Sequence, residues 1–231
     1  MKIWKLIDPV SGCHRISPYA DAGWRGSWSK GHSCLECNWP AWERIPPLLL
    51  VWEPGSREIG DFTFVSGTFV ATQSVLDFLQ SRVRGIRPGP VKMIEEDKKP
   101  KNPQRARPRI WLPYEGPPLW ELWTETCVHL DPDRTTAKRS KCSLCGSLRY
   151  KLTGHERYDL VVHPQAYQMI TRHRRRTPGK GLYIRKADLR GADYFGVHEF
   201  VFSTFCTDRF KTLVEKQGFT NIEFAEMGDA I

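Results

Sequence analysis

Two pairs of cysteines, each separated by two residues, are the side chains of this chain best suited to chemistry. The stretch HSCLECNW holds Cys34 and Cys37, and KCSLCGSL holds Cys142 and Cys145. Zinc is bound tetrahedrally by such ligands, and two intervening residues let one tight turn aim both sulfurs at a single ion. We therefore expect one structural zinc ion bound by all four cysteines, with no position left open for a catalytic water.

The separation between the two pairs leaves other interpretations open. A compact zinc ribbon has about 15–20 residues between its cysteine pairs, whereas these pairs lie in different halves of the chain. They could instead be two redox pairs or unrelated buried cysteines. Gly146 follows the second pair and can adopt the left-handed backbone conformation of a zinc knuckle. At the corresponding position after the first pair lies Asn38, which tolerates the same conformation. If one site does form, it closes a long loop and ties the N-terminal region to the middle of the chain.

The cysteine count and the apolar pattern bear on the compartment. The chain has 231 residues and seven cysteines, an odd number that does not suit a secreted disulfide framework. It contains no apolar run of the roughly 18 residues that a membrane helix needs, and its first residues lack the apolar stretch of a signal peptide. We expect a cytoplasmic protein that does not bind membranes.

The charge is strongly positive and unevenly distributed. The formal net charge is +9, and basic residues concentrate in 82–109 and in the run RHRRR at 172–176. Arginine suits bidentate contacts with carboxylates, so this run predicts a partner-binding site. Its arginines are Arg172, Arg174, Arg175 and Arg176. The same stretches could contact nucleic acid, or could be solvated loops.

Two segments share one plan of elements. Both FVATQSVLDFLQSRVRGI and FVFSTFCTDRFKTLVEKQGF read as a strand, a polar cap, a helix and a glycine, Gly85 or Gly218, and each leads into a further strand. We therefore predict an α+β fold with two related strand–helix–strand units and a mixed or antiparallel sheet, joined by the four-cysteine zinc knuckles.

Proline and charge are dense in 97–118, which disfavours both helix and buried sheet. We interpret this segment as a linker. It would divide an N-terminal α+β unit at 1–96 from a second unit at 119–231, although the two could pack as one domain.

Motifs of the common enzyme classes are missing from the sequence. It contains no G-x-S-x-G, H-E-x-x-H, P-loop or dinucleotide-binding glycine pattern, and the H-x-E of zinc deaminases does not occur. We predict that the protein is not an enzyme. A zinc ion with fewer than four protein ligands would favour an unrecognised enzyme instead.

The ordered set of motifs resembles a known family. The motifs are CLECNWPAW, GTFVATQSVLDFLQSRVRGI, LWELW, CSLCG and a final GADYFGVHEFVFSTFCTDRFKTLVEKQGFTNIEFAEM. In this order they resemble the double-CXXCG paralogous family of myxobacteria, over nearly the whole chain. The resemblance implies an immunity protein that binds a cognate toxin domain inside the cell. It also implies ligand roles for the two cysteine pairs, while Asn38 departs from the family glycine at the first knuckle.

Overall fold

The structure is a computed structural model of the chain. It describes residues 1–7, 20–21, 28–30, 34–36, 42–52, 59–65, 67–94, 113–146, 148–152, 159–163, 168–172, 176–200 and 203–231. Strands dominate this part, accompanied by two α-helices, so the protein has a mixed α/β fold.

The described residues up to Thr124 contain nine strands and one α-helix. They are β1 (Lys2–Ile7), β2 (Ala20–Asp21), β3 (Trp28–Lys30), β4 (Trp42–Arg44), β5 (Leu48–Trp52), β6 (Phe62–Val65), β7 (Thr68–Thr72), α1 (Gln73–Gln80), β8 (Ile86–Met93) and β9 (Leu119–Thr124).

The described residues after Thr124 contain a further nine strands and one α-helix. They are β10 (Cys127–Val128), β11 (Ala137–Lys141), β12 (Leu148–Leu152), β13 (Asp159–His163), β14 (Gln168–Arg172), β15 (Leu182–Ile184), β16 (Tyr194–Val197), β17 (Thr204–Thr207), α2 (Asp208–Gln217) and β18 (Glu223–Ala230).

The strands form two six-stranded sheets and three two-stranded hairpins. One large sheet has the order β2-β5-β8-β9-β7-β6, and the other has the order β10-β16-β17-β1-β18-β15. The hairpins are β3-β4, β11-β12 and β13-β14. The two large sheets contain the two predicted strand–helix–strand segments, β7-α1-β8 and β17-α2-β18.

The two large sheets have matching topology. In each segment the two strands flanking the helix run parallel and leave a gap one strand wide. An antiparallel strand fills the gap, β9 in one sheet and β1 in the other. Outside this core, β6 and β16 form antiparallel hairpins with β7 and β17, and β5 and β15 pair in parallel with β8 and β18. The order β5-β8-β9-β7-β6 therefore corresponds to β15-β18-β1-β17-β16.

A tryptophan on each gap-filling strand contacts the first residue of the neighbouring helix. The Trp4 indole N–H donates to the Asp208 carboxylate at 2.8 Å, and the Trp120 indole N–H donates to the Gln73 amide oxygen. Trp4 lies opposite Cys206, two residues before α2, and Trp120 lies opposite Ala71, two residues before α1. The same contact thus recurs at corresponding positions of both sheets.

One apolar core joins the two sheets and the two helices. It includes α1 residues such as Leu79, α2 residues such as Phe210, and strand residues such as Leu6 and Leu122. Helical spacing brings Val75, Leu76 and Leu79 onto one buried face of α1, as the sequence pattern predicts. Two smaller clusters cover the opposite faces of the sheets.

The predicted boundary at 97–118 does not separate the two sheets. β1 lies in the sheet formed by the C-terminal strands, and β9 completes the sheet formed by the N-terminal strands. Each sheet therefore contains a central strand from the opposite side of the predicted linker. Most of that linker lies outside the described residues.

The glycines after the two helices have different roles. Gly218 directly follows α2 in the left-handed conformation, as predicted. α1 ends earlier, at Gln80, and Gly85 lies beyond its C-cap with φ of 99°. The polar residue at the N-cap of α1 is Thr72. None of the helices in the described part is long and apolar enough to span a membrane.

Gly85→Ala should strongly destabilise the fold. A Cβ at this position would lie 2.1 Å from the Tyr194 carbonyl oxygen, and the residue has positive φ. We expect a loss of about 3 kcal/mol or more in the free energy of unfolding, because backbone strain and steric overlap add. Gly179→Ala is the matched control, since it has positive φ but no atom within 4 Å of the added Cβ. Chemical denaturation measures the free energy of unfolding of both variants. Equal losses in Gly85→Ala and Gly179→Ala would contradict the close approach of the two halves at Gly85.

Candidate metal centre

Two hairpins present the cysteine pairs. β11 and β12 pair antiparallel up to Lys141 and Leu148, which leaves Cys142 and Cys145 in the short connecting turn. Gly146 continues this turn at φ of 71°, and its N–H donates to the Cys142 carbonyl oxygen at 3.0 Å. The β3-β4 hairpin holds Cys34 in its longer connection. Cys34 and the second pair thus each belong to the connection of a hairpin.

Three of the four predicted ligands lie together. The Sγ atoms of Cys34, Cys142 and Cys145 all lie within 4.8 Å of one another, and the Cys34 and Cys142 sulfurs are 3.6 Å apart. Sulfurs about 2.3 Å from a tetrahedral zinc ion are separated by about 3.8 Å, so the spacing suits this ion. The fourth predicted ligand, Cys37, lies outside the described residues. The structure therefore brings together cysteines from both halves of the chain.

Backbone hydrogen bonds lower the pKa of the Cys142 thiol, whereas burial and side-chain hydrogen bonds raise it. The Cys145 backbone N–H lowers its pKa, whereas burial, the Cys145 side chain and the Glu36 carboxylate raise it. The net effect raises the pKa of Cys142 to about 12. A bound zinc ion would oppose this shift, because a coordinated thiol loses its proton.

Glu36, between the first two cysteines, binds the second knuckle. Its carboxylate accepts from the Ser143 hydroxyl at 2.6 Å, from the Leu144 backbone N–H at 2.9 Å and from the Cys142 thiol at 3.3 Å. The hydrogen bond from Ser143, followed by those from Cys142 and Leu144, lowers the pKa of Glu36. The sequence analysis did not identify this residue as part of the site. It joins the two knuckles without being one of the predicted ligands.

The outer surface of the knuckles combines apolar and basic side chains. Leu35 is 92% exposed and Leu144 is 65% exposed, although both are large apolar residues. Lys138, Arg139 and Lys141, on the strand that leads into the second knuckle, are also exposed. We refer to these five residues as the knuckle surface.

The structure corrects the predicted role of Arg176. Its side chain is 5% exposed, its Nε donates to Glu226 at 3.1 Å and its Nη2 donates to Asp229 at 2.6 Å. A third hydrogen bond, from Nη1, goes to the Lys180 carbonyl oxygen at 2.6 Å. Arg176 therefore holds β18 from inside the protein and cannot serve as an exposed partner contact. Of the other predicted arginines, Arg172 is the last residue of β14, but its side chain lies outside the described part. Arg174 and Arg175 lie wholly outside the described part.

No family model matches the chain, and no curated protein matches it significantly.

Removing one predicted ligand should release the metal and destabilise the fold. We expect about one zinc per chain in purified protein, and we expect Cys142→Ser to abolish stoichiometric zinc. The melting temperature should fall by roughly 8–20 °C, because a cross-link over a long loop contributes about 4–5 kcal/mol and a chain of this size loses about 2–4 °C per kcal/mol. Metal analysis and calorimetry measure both effects.

Two further variants make this test specific. Cys37→Ser should match Cys142→Ser if Cys37 is the fourth ligand, whereas Cys127→Ser, an exposed cysteine outside the cluster, should retain the metal. A metal-free wild-type protein that melts as Cys142→Ser does would contradict the zinc site.

Glu36→Gln should weaken zinc binding without removing a ligand. The amide keeps the shape of the side chain but accepts hydrogen bonds from Ser143 and Leu144 more weakly than a carboxylate does. We expect the zinc dissociation constant to rise about tenfold, which is within the range for residues that support metal ligands. Competition with a chromophoric chelator measures it. Glu125→Gln is the control, since Glu125 is exposed and lies outside the knuckles; equal effects would show that Glu36 has no such role.

Proposed function

We propose that this protein is an immunity protein that binds and neutralises a cognate toxin domain in the cytoplasm by stoichiometric contact, without catalysis. The observation that carries the proposal is the knuckle surface, where Leu35 and Leu144 are 92% and 65% exposed. Large exposed apolar side chains are characteristic of protein-binding sites, and here exposed basic side chains lie on the strand that leads into the second knuckle. The resemblance to the double-CXXCG family supports the same role.

The charge of the knuckle surface indicates the chemistry of its partner. Lys138, Arg139 and Lys141 are exposed on one strand, and the described residues of that strand carry no acidic side chain. Opposite charge steers association and sets orientation. The toxin surface that fits here is acidic around a small apolar recess. A nuclease active site, which binds phosphate, is basic, so contact through the knuckles would occur away from such a centre.

In this proposal the metal has a structural role. One zinc ion bound by Cys34, Cys37, Cys142 and Cys145 would close the site between the two related strand–helix–strand units. The 3.6 Å separation of two sulfurs from different halves supports this arrangement. Zinc would then fix the relative position of Leu35 and Leu144, which belong to different knuckles, and so preorganise the binding surface.

Nucleic-acid binding by the zinc knuckles is the alternative function. The exposed β11 cations and Lys151 on the adjacent strand could contact phosphates, and Arg139 lies 5.8 Å from the ring centroid of Tyr150. Such binding would weaken steeply with salt, because phosphate contacts release counterions. The immunity function requires no such dependence.

Co-expression with the toxin encoded beside this gene tests the proposed function. We expect cell survival and a one-to-one complex on gel filtration. The double variant Leu35→Ser, Leu144→Ser should bind at least about tenfold more weakly, since central apolar anchors each contribute more than about 1 kcal/mol. Ile231→Ser is the control, because Ile231 is an exposed apolar residue outside the knuckles.

The outcomes separate the two functions. Cell death without a complex would overturn the immunity proposal. Binding of duplex DNA or RNA at about 50 mM salt, lost as salt rises, would favour the alternative.

A further inference from the structure

A cleft lies where the two large sheets meet, away from the knuckles. It has a volume of about 400 Å³ and is lined by residues of β7, β8, β9, β10, β16 and β17, together with the turns beside them. Binding sites for small molecules are concave and have volumes of about 300–1,000 Å³. The cleft is therefore large enough for a compact organic ligand, and nothing in the proposed function uses it.

An arginine and a tryptophan place two donors in its wall. Arg87 and Trp123 are cross-strand neighbours, and the guanidinium carbon of Arg87 lies 4.6 Å from the centroid of the indole ring. The Trp123 Nε1 atom is buried and has no hydrogen-bond partner among the described residues. Buried donors without a partner are rare in proteins, because each costs about 1–3 kcal/mol. A ligand acceptor at this point would satisfy the indole and the exposed guanidinium together.

A carboxylate lies deeper on the same face. Glu121 is 1% exposed and precedes Trp123 by two residues on β9, so both side chains point to the same side of the sheet. The strand rise places their Cα atoms about 7 Å apart. Gly89, opposite Glu121, has no side chain, and the Trp123 ring occupies the space above it. The wall of the cleft thus contains both an arginine and a glutamate.

The remaining wall is apolar and hydroxylic. Val197 and Phe200 form its apolar part beside Leu122, and Thr124 and Thr204 contribute hydroxyl groups. A ligand for this cleft carries an anion, a cation close to it and a small apolar group.

We propose that the cleft binds a free α-amino acid with an apolar side chain. Its carboxylate would contact the Arg87 guanidinium and the Trp123 indole N–H, and its ammonium group would face Glu121. The side chain would lie against Val197 and Phe200. Because strands from both sheets line the cleft, binding would stabilise their junction.

Calorimetric titration of the full chain with L-leucine and L-phenylalanine tests this proposal. We expect saturable binding to at least one of them, with a dissociation constant of about 10 µM to 1 mM. The N-acetyl derivative loses the cation and the methyl ester loses the anion, so each should bind at least about tenfold more weakly. No saturable heat up to about 20 mM of either amino acid, a concentration well above the expected dissociation constants, would overturn the proposal, as would equal binding of either derivative.

Variants identify the binding groups. Trp123→Phe keeps an aromatic ring but removes the N–H, and Arg87→Ala removes the guanidinium; each should weaken binding at least about tenfold. Glu121→Gln should do the same if circular dichroism shows it folded, and otherwise the first two variants decide the outcome. Arg82→Ala is the control, because Arg82 also stacks on an aromatic ring, Phe78, but lies outside the cleft. Unchanged binding by Trp123→Phe and Arg87→Ala would overturn the proposed site.

Discussion

The gap between the two parallel strands of each strand–helix–strand segment is the constraint on which this fold depends. A helix crossover that skips one position leaves unpaired backbone groups on both inner edges, and buried groups of this kind must find partners. The missing strand is β9 in one sheet and β1 in the other. Because each comes from the far side of the predicted linker, backbone pairing alone binds the two halves of the chain together.

The cysteine cluster connects the two halves of the chain at a second point. Cys34 belongs to a hairpin that precedes β5, and Cys142 and Cys145 belong to a hairpin that precedes β15. The hairpins therefore occupy comparable places in the two repeated topologies, and they meet at their tips. Glu36, in the first hairpin, also connects the two hairpins, because its carboxylate accepts hydrogen bonds from Ser143 and Leu144 in the turn of the second and from the Cys142 thiol.

The sequence predicted local features well and long-range placement less well. The helical periodicity of Val75, Leu76 and Leu79, the glycine after α2 and the grouping of Cys34 with Cys142 and Cys145 depend on spacing or on ligand chemistry, and the structure contains them. The positions of β1 and β9 in the opposite sheets could not be predicted, because strand pairing across a linker leaves no local pattern.

The placement of a charged residue was also difficult to predict from the sequence, because it depends on distant partners. Arg176 is the last residue of a basic run, yet it is buried because its guanidinium donates to Glu226 and Asp229, some fifty positions later on β18.

Leu35 and Leu144 look like ordinary apolar residues in a sequence. Only the turn geometry imposed by the neighbouring cysteines leaves them in solvent, so their exposure could not be predicted from residue type.

The separation of 108 positions between Cys34 and Cys142 also has a consequence during synthesis. A ribosome that adds about 5–20 residues per second needs roughly 5–20 s to extend the chain from the first knuckle to the second. Throughout that interval the nascent chain carries the thiol of Cys34 without those of Cys142 and Cys145. β1 likewise has to wait for its partners β17 and β18, which are synthesised much later than β1. The early segments therefore depend on remaining reduced and unaggregated until β17 and β18 have been synthesised.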